Sequence, residues 1–426
     1  MNRIDQSAVT PDRTVLSRKR KTFSLLSLLI CMTLLLFCSC GARSTSSSEI
    51  SSQTEHRSDS VSATAGTLRQ NDVPDDRNIS DSLTYQSTIP LEYAECFRIF
   101  RYEGGFSLIN LCDGTRFLIV PEGQNAPEDL DEDITVLNQP LQHLYLAGSA
   151  CMDMFVSIDA LDRITMSAVK TDNWYIEEAR DAMESGKILY AGKYSSPDYE
   201  LILSQGCDLA VENTMILHCP KVREQLIETG VPVIIDHSSY ETHPLGRTEW
   251  VKLYGILTGH EQEAEQAFDA QKEACQTAMT EQSSGRSISF FAISSSGSVT
   301  VRKSTDYVPA MIQLAGGSYL PDDLTDDTIT STTSLQMEEY CSRARNADCL
   351  IYNSTIEGSV ASIDELLKKA PALKNFKAVK NGAVWCTSQN LYQDSMETGT
   401  IIADFHQILT SPEEDGSSLH YFYKLK

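Results

Sequence analysis

Two series of short β-rich runs, separated by helical stretches, constrain this chain more than any other feature. The first series is Ile134-Thr135-Val136-Leu137, Ile164-Thr165-Met166, Ile188-Leu189-Tyr190, Leu209-Ala210-Val211 and Val231-Pro232-Val233-Ile234-Ile235, with helices predicted at Pro197–Gln205 and Pro220–Thr229. The second is Ser287–Ile293, Cys349-Leu350-Ile351-Tyr352 and Ala383-Val384-Trp385. Short apolar strands alternating with helices predict mostly parallel sheets covered on both faces. Between the series, His260–Gln282 holds neither Gly nor Pro. In that stretch Ala264, Ala267, Phe268, Cys275, Ala278 and Met279 fall near one helical face. At about 1.5 Å per residue such a helix is about 30 Å long, enough to run from one lobe to another. The expected fold class is α/β, with two lobes joined by a single long helix.

Ahead of these series, Phe97–Tyr102, Phe106–Ile109 and Phe117–Val120 are separated by Gly104-Gly105 and Asp113-Gly114, dipeptides that favour hairpin turns. Residues 97–120 are therefore expected as a small β-meander. A chain of 426 residues exceeds one ordinary core. The expected division is a signal peptide at 1–39, a tether at 40–86, an N-terminal lobe at 87–258 with the meander inside it, a connecting helix at 259–283, and a C-terminal lobe at 284–426. The tether expectation rests on residues 41–86 being rich in Ser, Thr, Asp, Asn and Gln and nearly empty of aromatics.

The amino-terminal region sets the address. Arg18-Lys19-Arg20-Lys21 precedes Thr22–Phe37, an uncharged apolar run with the shape of a signal h-region and too short for a comfortable span. It ends in Leu36-Phe37-Cys38-Ser39-Cys40-Gly41, which resembles a bacterial lipobox and makes Cys40 the expected lipidated residue. An uncleaved anchor is the alternative, and either puts the body on the extracytoplasmic face of the cell membrane. Loss of residues 1–39, with six basic and two acidic side chains, takes the net charge from −24 to −28. So acidic a body excludes a nucleic-acid partner, which needs a basic face to displace counterions. It would also be repelled by anionic lipid, which gives a lipid tether a physical use.

Nine cysteines follow residue 40, scattered and without a C-x-x-C pair, and read mostly as free, small, buried hydrophobes. The sequence has no G-x-x-x-x-G-K, no H-E-x-x-H and no G-x-S-x-G. His237 and His243 flank Ser238–Thr242, but a shared inter-lobe metal site lacks partners beyond His406 and His420 near the C-terminus. No catalytic residue, metal site or resident cofactor is assigned, and an enzyme is not expected. The loops carry many aromatics, and several follow a predicted strand's carboxyl end, where open sheets place ligands. Trp174, Tyr194, Tyr240, Tyr307, Trp385 and Tyr392 are the candidate ligand-binding residues, suited to a large, partly flat ligand.

Gly230–Asp236 followed by His243-Pro244-Leu245-Gly246-Arg247-Thr248-Glu249-Trp250-Val251-Lys252 resembles the substrate-binding lipoproteins of iron-complex ABC importers. Met337-Glu338-Glu339-Tyr340 running into Ala347–Asn353, and Ile363–Leu367, are similar to the same family. The resemblance covers roughly Leu91 to the end. It implies two Rossmann-like lobes, a rigid connecting helix and a cleft for a ferric siderophore, haem or cobalamin. It further implies an ABC permease with its ATPase as partner, met through an acidic residue on each lobe. Glu338 matches the second-lobe position. Pro220 and Lys221 stand near where the first-lobe glutamate belongs, so Glu224 or Glu249 is the candidate there.

Three functions stay open on these grounds. The first is a lipid-anchored receptor that captures an iron complex of siderophore or haem type, or a cobalamin-like corrinoid, for an importer. A cell-surface adhesion or sensor module using the meander is the second, and a tetrapyrrole-modifying enzyme on the same scaffold is the third. Absence of a nucleophile or cofactor fingerprint favours binding over catalysis.

Overall fold

A computed structural model describes residues 73–325 and 331–426. The signal peptide, Cys40 and the first part of the expected tether lie outside the described residues. Three large sheets organise the rest, beside a small two-stranded ladder of Gly192–Lys193 with Ser196–Pro197. The N-terminal one has five strands in chain order, Tyr85–Thr88, Phe97–Tyr102, Ser107–Leu111, Arg116–Val120 and Ile134–Asn138. The first four pair antiparallel, and the last joins parallel to Arg116–Val120. Side chains alternate between faces along these strands. Phe97, Ile99, Ile109 and Phe117 therefore enter the main core, while Phe100, Tyr102, Leu108 and Leu118 form a satellite core with Ile79 on the opposite face.

Two expectations change here. Ile134–Leu137 was expected to open the α/β series but instead closes the meander sheet. Its half-buried pattern suits a sheet edge rather than a strand covered on both faces. Residues 73–86, expected within the tether, are packed. Val73 and Ile79 are buried, Tyr102 Oη donates to the Arg77 carbonyl at 3.0 Å, and the Arg77 guanidinium lies over the Tyr85 and Phe100 rings. A few apolar residues spaced through a polar stretch suffice to cover the outer face of the sheet.

The first α/β sheet is wholly parallel, in spatial order Val233–Asp236, Leu209–Asn213, Leu144–Leu146, Ile164–Ser167 and Leu189–Tyr190. Helices Tyr199–Ser204 and Pro220–Glu228 lie where the sequence predicts them. The second sheet runs Thr332–Leu335, Val299–Arg302, Ser287–Ile293, Cys349–Tyr352, Val384–Thr387 and Phe422–Lys424, with Ser318–Tyr319 beside Ser287–Ile293. Its centre is parallel and its margins are antiparallel. All seven residues of Ser287–Ile293 are buried, as expected of a strand covered on both faces.

The connecting helix is Glu261–Ala278. Eighteen residues give about 27 Å. Ala264, Phe268 and Cys275 are its buried face, and Met279 lies past its end, exposed. Two glycines let neighbouring helices seat against it. A Cβ on Gly255 would come within 2.6 Å of Ala264 Cβ, and one on Gly399 within 2.8 Å of the Ala274 backbone. Gly255 belongs to Val251–Thr258 of the first lobe, and Gly399 to Thr398–Thr410 of the second. The helix is thus clamped to both lobes at van der Waals distance.

Candidate functional site

The carboxyl ends of the two α/β sheets meet. Ser395 Oγ donates to the Ala150 carbonyl at 2.7 Å, Met396 N to Asp153 Oδ2 at 2.7 Å, and Tyr175 N to Gln393 Oε1 at 2.8 Å. Ala150, Asp153 and Tyr175 follow first-lobe strands, and residues 393–396 follow Val384–Thr387. At the opposite margin Ser331 Oγ donates to the Ser239 carbonyl at 2.7 Å. The crevice between such strand ends is where open α/β sheets receive ligands.

Two arginines hold the junction, one from each lobe. Arg247, on the short helix Pro244–Glu249, donates to Tyr307 Oη at 3.2 Å and to the Tyr392 carbonyl at 3.1 Å. Its guanidinium lies 4.9 Å from the centre of the Tyr307 ring. Arg302 ends the strand Val299–Arg302 and sits 5.3 Å from the same ring. Arg302 also donates to Tyr392 Oη at 2.9 Å and pairs with Asp306 at 3.4 Å. Burial works against its charge, but Asp306 and the two phenols outweigh burial and keep the guanidinium protonated.

A cavity of about 190 Å³ opens beside this cluster, with Phe290, Phe291, Arg302, Thr332, Asn353 and Tyr392 in its wall. Asn353 Nδ2 donates to Tyr392 Oη at 3.2 Å. Tyr392 Oη therefore accepts from both Arg302 and Asn353, and its own proton is left to donate elsewhere. Burial pushes this phenol up to about 12, so the proton stays on. The cavity offers a hydroxyl donor backed by a guanidinium, a chemistry suited to an oxygen-rich, negatively charged group.

Around the crevice lies an apolar lip. Tyr175, Tyr190, Met215 and Leu217 of the first lobe and Ile356 of the second are 37–54% exposed. Each follows or ends a strand at its carboxyl side. Lys170 Nζ stands 5.5 Å from the centre of the Tyr190 ring. Five large apolar side chains concentrated at one end of two sheets form a contact surface rather than scattered exposure.

Of the aromatics singled out from sequence, Tyr307 and Tyr392 are brought together through Arg302. Tyr240 is half-buried, its ring 5.7 Å from His237 and its hydroxyl bonded to Thr214 beside the lip. Tyr194 packs on the outer cluster with Tyr145 and Ile202. Trp174 and Trp385 are each 1% exposed and belong to the main core, so neither offers a ring face to a ligand. Trp174 is turned inward by the 3-10 turn Thr171–Asn173, and Trp385 lies inside a strand rather than after it. Arg302, Asn353, Tyr190, Met215, Leu217 and Ile356 were not singled out. Their one sequence signal is position, at or just past a strand's carboxyl end.

The acidic candidates separate sharply. Glu338 is exposed in the first turn of Met337–Ala344, and Glu224 is exposed on Pro220–Glu228. Glu249 is fully buried and accepts from the backbone N–H groups of Glu92, Tyr93 and Ala94 at 2.8–3.1 Å, with Lys252 Nζ at 3.2 Å. It pins the chain entering the N-terminal sheet and cannot meet a partner's arginine. His237 pairs with Asp113 at 3.3 Å, and His243 Nδ1 caps its helix by accepting from Leu245 N at 3.1 Å. No cluster able to hold a metal occurs among the described residues.

A family profile described as periplasmic binding protein matches residues 153–391. An uncharacterized lipoprotein of Methanocaldococcus jannaschii is 24% identical over 365 residues, spanning 78% of this chain and 85% of the relative. A periplasmic heme binding protein from Pseudomonas aeruginosa superposes with a TM-score of 0.52 at 16% identity, over 67% of this chain and 98% of its own. A structure described as an ABC-type Fe3+-hydroxamate transport system from Saccharomonospora viridis superposes with a TM-score of 0.50 at 15% identity, over 64% and 94%. At these identities the structural likeness shows the fold.

Proposed function

The chain belongs to the periplasmic binding protein family, and from that premise we propose that it captures an iron complex, of siderophore or haem type, for an ABC importer. Proteins of this family bind substrates for transport and are not enzymes, and they work with importer permeases and ATPases. The observation that carries the ligand class is the crevice itself. Its second-lobe wall offers Tyr392 and Asn353 backed by Arg302, and its lip offers Tyr175, Tyr190, Met215, Leu217 and Ile356. Haem joins an extended apolar macrocycle to anionic propionates, and ferric catecholates join aromatic rings to anionic oxygens, and both halves of that description find a counterpart. A corrinoid is the second reading, favoured by the breadth of the lip.

Glu338 and Glu224, one exposed on each lobe, are the acidic residues proposed to meet the permease. Such charge pairs chiefly set docking register and on-rate. Lipidation at Cys40 is proposed to hold the body at the extracytoplasmic face. No helix among the described residues is long and apolar enough to cross a membrane. Palmitate labelling that persists in Cys40→Ala would remove that assignment.

All three tryptophans are buried, so titration calorimetry is a better readout than their fluorescence. Ferric catecholate and hydroxamate siderophores, haem and cobalamin are titrated into the purified protein. Saturable binding of a ferric siderophore or haem, weakened in Tyr392→Phe, is expected. Binding of cobalamin alone moves the assignment to corrinoids, and binding of none overturns it.

A further inference from the structure

Cys96 and Cys112 stand opposite each other at the open end of the hairpin made by Phe97–Tyr102 and Ser107–Leu111. The ladder pairs Phe97 with Leu111, and the two cysteines are the next residues outward. Cys112 N donates to the Cys96 carbonyl at 2.8 Å, and the two thiols are hydrogen-bonded to each other. Residues opposed on an antiparallel ladder have Cα atoms about 4.5–5.5 Å apart. A disulfide spans about 4.4–6.8 Å. The N–H of Cys96 lies outside the ladder and donates to Glu241 Oε1 at 3.0 Å. We propose that Cys96 and Cys112 are an oxidisable pair that closes to a disulfide across the base of this hairpin.

The surroundings choose which sulfur attacks. The Cys96 thiol donates to Cys112, and the His237 charge lies nearby; together they outweigh burial and favour the Cys112 thiolate. Both sulfurs are buried in the folded chain, 5% and 1% exposed, so the exchange occurs while the strand end is open, as during folding. The Cys112 thiolate attacks a small external disulfide such as oxidised glutathione, forming a mixed disulfide and releasing one thiolate. Cys96 then loses its proton and displaces the second. Two protein thiols are oxidised, and one external disulfide is reduced to two thiols. The bond forms beside a junction. Asp113 follows Cys112 and pairs with His237, which lies two residues from Ser239, the acceptor for Ser331 of the second lobe. The pair therefore lies next to the Asp113–His237 contact that ties the N-terminal sheet to the first lobe, independently of which ligand the crevice takes.

The test uses the full-length chain, both native and refolded from the reduced, denatured state, in a glutathione redox buffer. Free thiols are alkylated under denaturing conditions and the peptides mapped by mass. One cross-linked species joining Cys96 to Cys112, reversed by dithiothreitol, is expected in the refolded chain. In Cys96→Ser the cross-link is expected to vanish while Cys112 accumulates as its mixed disulfide with glutathione. Complete alkylation of both sulfurs in the refolded chain, or cross-linking of either to another cysteine, overturns the proposal.

Discussion

Two buried carboxyls, Asp306 of the second α/β lobe and Glu212 of the first, are handled in opposite ways. In the second lobe, Asp306 lies against Arg302 and accepts from Val308 N at 2.9 Å, so charge is balanced where it is buried. In the first, Glu212 is fully buried in Leu209–Asn213, and neither of its oxygens has a hydrogen-bond partner among the described residues. Burial alone pushes it up to about 8, so at neutral pH it is an uncharged acid. Both lobes thus bring an arginine to the junction, but only in the second is a buried carboxyl paired with one.

The sharpest way to break the contrast is Arg302→Ala. It leaves Asp306 buried without its cation, and removal of one partner of a buried pair costs about 3–5 kcal/mol. A large drop in the urea midpoint is expected, and an unchanged midpoint would show that the pair does not organise that lobe. Arg302→Lys keeps the charge but loses the planar fork. Ligand affinity should then fall about tenfold, or about 1.4 kcal/mol, with the fold retained.

Glu212 tests the other half of the contrast through pH. Its carboxyl titrates near 4.5 when unfolded and about 8 when folded. Between those values the folded chain holds the extra proton, so stability falls as pH rises through the window. Burial pushes Glu241 and Asp153 to about 7, and both act in the same direction. His237 adds to it. Burial lowers its value, but Asp113 outweighs burial and raises it, so the stability it contributes is present below about 6.5 and lost as pH rises through the raised value. Denaturation at pH 5, 6.5 and 8 should show a steady decline in wild type. Glu212→Gln should remove on the order of 3 kcal/mol of that decline. Equal slopes in the two proteins would contradict an uncharged Glu212.

The lip calls for smaller effects. Tyr175→Ala and Met215→Ala should each weaken binding of the titrated iron complex by about 1 kcal/mol, roughly fivefold. Unfolding midpoints should not move, because both side chains are exposed. Unaltered affinity in both variants would leave the polar wall as the whole site. The smallest effect on the protein itself is expected for Glu338→Arg, within about 0.5 kcal/mol in stability. Its consequence is confined to the importer. Ligand affinity is kept, while ligand-stimulated ATP hydrolysis by the reconstituted transporter falls, and normal stimulation would exclude Glu338 from docking.

Glu249 and Glu338 mark the boundary of what can be read from a sequence. Both are glutamates beside helical stretches, with no local sign of different fates. Glu249 is buried because a segment more than 150 residues earlier, Glu92–Ala94, turns its N–H groups toward it. The tryptophans teach the same lesson. Trp174 follows a 3-10 turn and Trp385 lies inside a strand, and local turn and strand phase send both rings into the core. By contrast, Tyr307 and Tyr392 are 85 positions apart and meet because Arg302 lies between them.

The strand–helix alternation, the connecting helix and the hairpin turns were determined by the sequence itself, because each depends on periodic burial over a few neighbouring residues. The placement of Ile134–Asn138 in the N-terminal sheet, the packing of residues 73–86, and the identities of the crevice residues were decided only in the tertiary structure. Desolvation and charge pairing depend on which distant groups arrive at the same point. For Arg247 and Glu249 those groups come from elements that sequence spacing does not bring together.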